Sequence, residues 1–142
     1  MITEDYVSFE TAKLLHSCGF WSDECVALYD CGNNNEFVRD DAIFQNGAED
    51  YLEYENGEEW RRFGYYLAPT LQMAMKWLRE VHNLFIFPFP QRNTNKFWTE
   101  IFQLSDNQEW ENLYCESIDL QDYQTCEEAC EAAIKYCLEN LV

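Results

Sequence analysis

Residues 67–89 read LAPTLQMAMKWLREVHNLFIFPF, and the fold follows from how this stretch is divided. Pro69 suits the first turn of a helix, where its missing N–H has no partner to lose. From there Leu71, Ala74, Met75, Leu78, Val81 and His82 fall on one side of a 3.6-residue wheel, with Gln72, Lys76, Arg79 and Glu80 on the opposite arc. Asn83 ends the helix. Residues 84–87, LFIF, are too apolar and too short for another helix and read as a buried strand. Pro88 and Pro90 cannot donate to a ladder, so the strand ends near Phe87 or lies at an edge.

Downstream, QRNTN is turn chemistry and KFWTEIFQL (96–104) is the partner strand. Its alternation sets Phe97, Thr99 and Ile101 against Trp98, Glu100 and Phe102. Both faces carry aromatics, so helices are expected over one and a partner or loop over the other. Residues 112–118 are read as a further strand. Thr125 followed by Glu128 is a capping box for a last helix over about 125–140. Glu127, Glu128 and Glu131 suit the positive end of its dipole. Cys126, Cys130, Ala133 and Cys137 form one stripe of small residues there, which reads as packing against a sheet.

Upstream, Ser8 caps a helix over about 8–18 with Phe9, Ala12, Leu15 and Cys18 inward, and Gly19 is a good residue to end it. CVALYD (25–30) has strand character, CGNNNE is a turn, and residues 37–44 return as the second strand of a hairpin. Residues 46–57 form a polar, acidic surface segment. Tyr65 and Tyr66 approach the central helix in extended form, because Ala68 precedes a proline. The expected architecture is therefore α+β. Small antiparallel sheets built from hairpins are packed by three helices (about 8–18, 69–82 and 125–140), and one domain spans 1–142.

Composition narrows the function. The 142 residues are 47% hydrophobic, enough for a real core. No apolar run reaches membrane-span length. MITEDYVSFE lacks the apolar core of a signal peptide, so a cytoplasmic location is expected. The seven cysteines show no CxxC pair or Cys/His ligand spacing and read as reduced core residues. A net charge of −18 argues against direct nucleic-acid binding. Its distribution is uneven: residues 61–98 hold six of the nine basic residues and one acid, +5, leaving −23 elsewhere.

Catalytic patterns are missing. There is no phosphate loop, GxSxG or HExxH. His16 and His82 are the only imidazoles, and His82 sits where it can bond the last carbonyls of its helix. Glu127, Glu128 and Glu131 read as a solvated acidic turn, and no metal or cofactor is expected. The chain reads as non-catalytic, with an enzyme kept as a third alternative.

The 67–89 stretch, together with SFETAKLLHSCGF (8–20) and TCEEACEAAIKYCLENLV (125–142), resembles a group of small proteins carried by phages and mobile elements of gut Bacteroidales. The resemblance covers nearly the whole chain and is most specific at APT…WLREVHN with the strand after it. It supplies no catalytic residues to carry over. What it implies is context: a phage-type accessory factor in the host cytoplasm that engages a host protein, a nucleic-acid-binding protein or a defence signal.

Two binding readings follow. In the first, Arg61, Arg62, Lys76, Arg79 and Arg92 pair the phosphates of a small anionic, nucleotide-like ligand, a host-defence signal held in sequestration. Trp60, Tyr65, Tyr66 or Trp98 stack on its base. In the alternative, the acidic surface itself mimics nucleic acid or inhibits a host protein by occupying its basic groove. Against both, the same arginines serve to neutralise the acidic flanks and the same aromatics to fill the core. A homo-oligomer is compatible with either.

Overall fold

The computed structural model describes residues 3–22, 24–31, 34–39, 65–92, 94–113 and 123–142. It is an α+β arrangement of three helices and two small antiparallel sheets. The chain divides into two compact units, Tyr6–Thr70, and Met1–Asp5 with Leu71–Val142.

In the first unit, α1 (Phe9–Ser17) begins where Ser8 Oγ accepts the Thr11 N–H at 3.3 Å. It ends in a Schellman motif: Gly19 N–H donates to His16 O (3.1 Å) and Phe20 N–H to Leu15 O (2.9 Å). Gly19 has φ +87°, a conformation that penalises any Cβ. Strands β1 (Ala27–Asp30), β2 (Glu36–Arg39) and β3 (Tyr65–Leu67) form a sheet in the order β2-β1-β3. Asn34 and Asn35, both at positive φ, turn the β1–β2 hairpin. Tyr29 stands opposite Phe37 on one side and Tyr66 on the other. Phe9 of α1 packs its ring on both Tyr29 and Tyr66, so the helix lies over this aromatic row. The expected second strand, 37–44, is seen as far as Arg39; residues 40–44 and the 46–57 segment lie outside the described residues.

The second unit opens with α2 (Leu71–His82). Its start is two residues later than expected, because Pro69 belongs to the extended lead-in: its carbonyl accepts from Val7 N–H at 3.0 Å. Leu71, Ala74, Met75 and Leu78 are buried as the wheel requires. Val81, expected to face inward, is 57% exposed. It stands about 60° round the helix from Leu78, on the flank of the stripe and in the last turn. Asn83 stops the helix at φ +56°.

Strand β4 (Leu84–Pro90) runs through both prolines and pairs with β5 (Phe97–Leu104), which pairs with β6 (Trp110–Asn112). Phe97 explains why prolines are tolerated. It donates to Tyr123 O (2.7 Å) and accepts from Tyr123 N–H (3.1 Å), so both its backbone groups point away from β4. Pro90 opposite it, and Pro88 opposite Thr99, therefore occupy pairs that exchange no hydrogen bonds. Their nitrogens face the outer edge of β4, where a missing N–H breaks no ladder. β6 lies earlier than the expected strand, and residues 114–118 are outside the described set.

Helix α3 (Cys126–Asn140) starts where Thr125 Oγ1 accepts the Glu128 N–H at 3.0 Å. Glu128 Oε2 reaches back to the Gln124 N–H (3.3 Å), one residue before the cap, rather than to the cap itself. α3 packs on β4 and β5, and α2 packs on β4 and α3. Leu84, Ile86, Thr99 and Ile101 meet them with 0–7% exposure. Ala129, Cys130, Ala133, Ile134, Cys137 and Leu138 form the buried side of α3.

Candidate functional site

The described cationic residues singled out from the sequence lie on two elements, Lys76 and Arg79 on α2 and Arg92 in the turn after β4. Trp60, Arg61 and Arg62 lie outside the described residues. Tyr65 and Tyr66 are half-buried on β3, and the Tyr66 ring packs on Phe9 (5.8 Å) and His16 (5.1 Å). Lys76 Nζ lies 3.9 Å from Glu80 Oε1 on the exposed side of α2, an i,i+4 pair worth a few tenths of a kcal/mol. Arg79 is half-buried on the same helix, and Arg92 is exposed in the turn after β4. Trp98 stacks on Phe89, with centroids 5.2 Å apart.

Strand pleating decides which of these share a surface. Trp98 belongs to the set of β5 residues that alternate with the buried Thr99 and Ile101, so it faces away from α2. Lys76 and Arg79 are thus on the helix side of the sheet and Trp98 on the other. Of the predicted ligand residues in this unit, Arg92 and Trp98 are the pair that one hairpin holds.

The outer face has a composition of its own. Register puts Phe85, Phe87 and Phe89 of β4 beside Phe102, Glu100 and Trp98 of β5, with Trp110 of β6 at the far side. Six aromatic residues therefore share it. Phe85 and Trp110 meet at 4.8 Å, and Phe87 and Phe102 at 5.7 Å, both edge-to-face. Phe87, Phe89 and Trp110 remain 43%, 37% and 55% exposed. Such a concentration is unlike the singly scattered apolar residues of an ordinary surface. Glu100, half-buried, sits directly opposite Phe87. The sequence signal for this face was the double alternation of LFIFPFP and KFWTEIFQL; what it lacked was the register that superposes them.

The six described thiols are buried or half-buried. Burial pushes the Cys137 thiol up to about 12. Cys130 is pushed to about 12 by burial first, then by Cys126 and Glu127 beside it. Burial also raises Cys18 and Cys31. A thiol held protonated is a poor nucleophile. The six described cysteines are in no disulfide. His82, expected to bond the last carbonyls of α2, instead packs edge-to-face on Trp77 at 4.8 Å, and its buried Nε2 has no hydrogen-bond partner. Among the described residues no three His, Cys, Asp or Glu side chains gather as for a metal ion, and no helix is long and apolar enough to cross a membrane. Searches against family models, curated proteins and solved structures found no match to this chain.

Proposed function

We propose that this is a non-catalytic accessory protein that binds another protein through the outer face of the β4–β5–β6 sheet. The observation that carries the reading is the gathering of six aromatic side chains on one sheet face, three of them more than a third exposed. Aromatic residues dominate the energetics of protein interfaces, where each fills a desolvated pocket. The acidic balance of the chain, −18, favours a basic partner and disfavours nucleic acid. Position-specific photo-crosslinking tests the reading. A photoreactive phenylalanine at Phe87 is expected to form protein adducts in cell extract, and one at Val81, exposed on α2, is not. Equal adduct formation from both positions, or none from either, overturns it.

A second reading is supported by the position of Arg92 in the turn that joins the strands of the Phe89–Trp98 pair. That end of the face suits a small anionic ligand, its base on the rings and its phosphate toward Arg92. A nucleotide panel in low salt distinguishes it. Sequestration raises the melting temperature and Arg92→Ala removes the rise, whereas the protein-binding reading predicts no shift from any nucleotide.

A further inference from the structure

Among the described residues of β4, β5 and β6, Glu100 is the one ionisable side chain within the aromatic face. Along β5 its same-face neighbours are Trp98 and Phe102, and across the pairing with β4 it meets Phe87, with Phe85 and Phe89 on the diagonals. Five aromatic residues thus occupy the positions around Glu100 on β4 and β5. Among the described residues the Glu100 carboxylate has no hydrogen bond and no ion pair. Lys96, the nearer of the two cations in the β4–β5 turn, stands four residues along the strand, roughly 13 Å away at 3.3 Å per residue.

This arrangement discriminates among occupants. Ring faces carry the negative end of the aromatic quadrupole, and the carboxylate adds a full charge, so the centre of the face attracts cations and repels anions. A purely apolar partner would desolvate Glu100 and give it nothing in return, which is unfavourable. A second copy would press two such carboxylates, and two chains of −18, toward each other. A guanidinium satisfies every group at once: its plane stacks on rings while its edge forks onto a carboxylate, which an ammonium cannot do. The chain's overall charge also steers a basic partner toward it.

We propose that the outer face is a docking surface for an arginine-bearing segment of a basic partner protein, with the guanidinium seated on Glu100 between Phe87, Trp98 and Phe102. The proposal rests on the protein-binding reading and names the chemistry that reading requires.

The test is an NMR titration of the full chain at physiological salt, following the indole N–H signals of Trp98 and Trp110. Two six-residue peptides of proline and leucine are used, one with a single arginine and its twin with neutral, near-isosteric citrulline. The arginine peptide is expected to shift both signals saturably and to bind at least tenfold more tightly than the twin. Glu100→Gln abolishes that difference, and Glu139→Gln, which removes an equal charge from the exposed end of α3, preserves it. The twin comparison needs no variant and so survives any folding defect in Glu100→Gln. Equal binding of both peptides, lost in Phe87→Ala, overturns the arginine assignment while leaving the face a binding surface. No shift from either peptide overturns the assignment and the reading beneath it. Signals that move with protein concentration alone, and stop moving in Phe87→Ala, identify the occupant as a second copy and overturn the assignment.

Discussion

Thr99, the third residue of β5, is fully buried under the helices, and its Oγ1 has no hydrogen-bond partner. A buried hydroxyl without a partner costs about 1–3 kcal/mol of desolvation. Valine has nearly the same shape and a higher β-propensity. Thr99→Val is therefore expected to stabilise the protein by about 1 kcal/mol, read as a higher urea midpoint at unchanged m-value. Cys137 makes a prediction in pH. Its thiol stays protonated in the folded protein up to about 12, against 9.0 ordinarily. Between those values the unfolded chain has lost the proton that the folded chain keeps, so the unfolded state binds fewer protons. Stability then falls as pH rises, by up to about 1.4 kcal/mol per pH unit for this group. Urea melts at pH 8 and pH 10.5 should show a steeper loss in the wild type than in Cys137→Ala.

Helix ends and helix faces are largely legible in the sequence, because their signals are local. Ser8, Gly19, Asn83 and Thr125 each act within four residues of themselves. Gly19→Ala is expected to cost about 1–2 kcal/mol, since no neighbour lies within 4 Å of the added Cβ and the left-handed backbone alone sets the penalty. Thr125→Ala removes the acceptor for the Glu128 N–H and is expected to cost about 1 kcal/mol, seen as a lower thermal midpoint. Strand partners were less legible. Leu67 pairs with Leu28 and Tyr66 with Tyr29, and nothing local in YYL announces a partner nearly forty residues earlier. For the same reason the cationic window does not say which of its residues share a surface. Arg79 and Trp98 are near each other in sequence, yet a strand turns successive side chains to opposite faces, and one such alternation separates them. The aromatic face needed a register rather than a pattern: only the pairing of Phe87 with Glu100 sets the acid among aromatic positions.

Across the whole molecule, 27 acidic residues face nine basic ones, and such an excess destabilises a compact state by self-repulsion. Raising NaCl from about 10 to 150 mM shortens the screening length from roughly 30 to 8 Å. The melting temperature is therefore expected to rise over this range; a fall would mean that surface ion pairs, such as Lys76 with Glu80, outweigh the repulsion. Charge alone does not keep a chain with an aromatic sheet from stacking into larger assemblies. Pro88 and Pro90 add a second safeguard. Fibril growth copies strand onto strand, and each added chain must find donors on the rim of the last one. Where these two prolines stand, the rim of β4 offers carbonyls and no amide hydrogens, so the copying stalls there. Pro88→Val with Pro90→Val should leave the fold intact and seed thioflavin-positive fibres under conditions in which the wild type forms none. An edge strand beside an aromatic face is thus kept short of donors at the two positions where a further strand would need them.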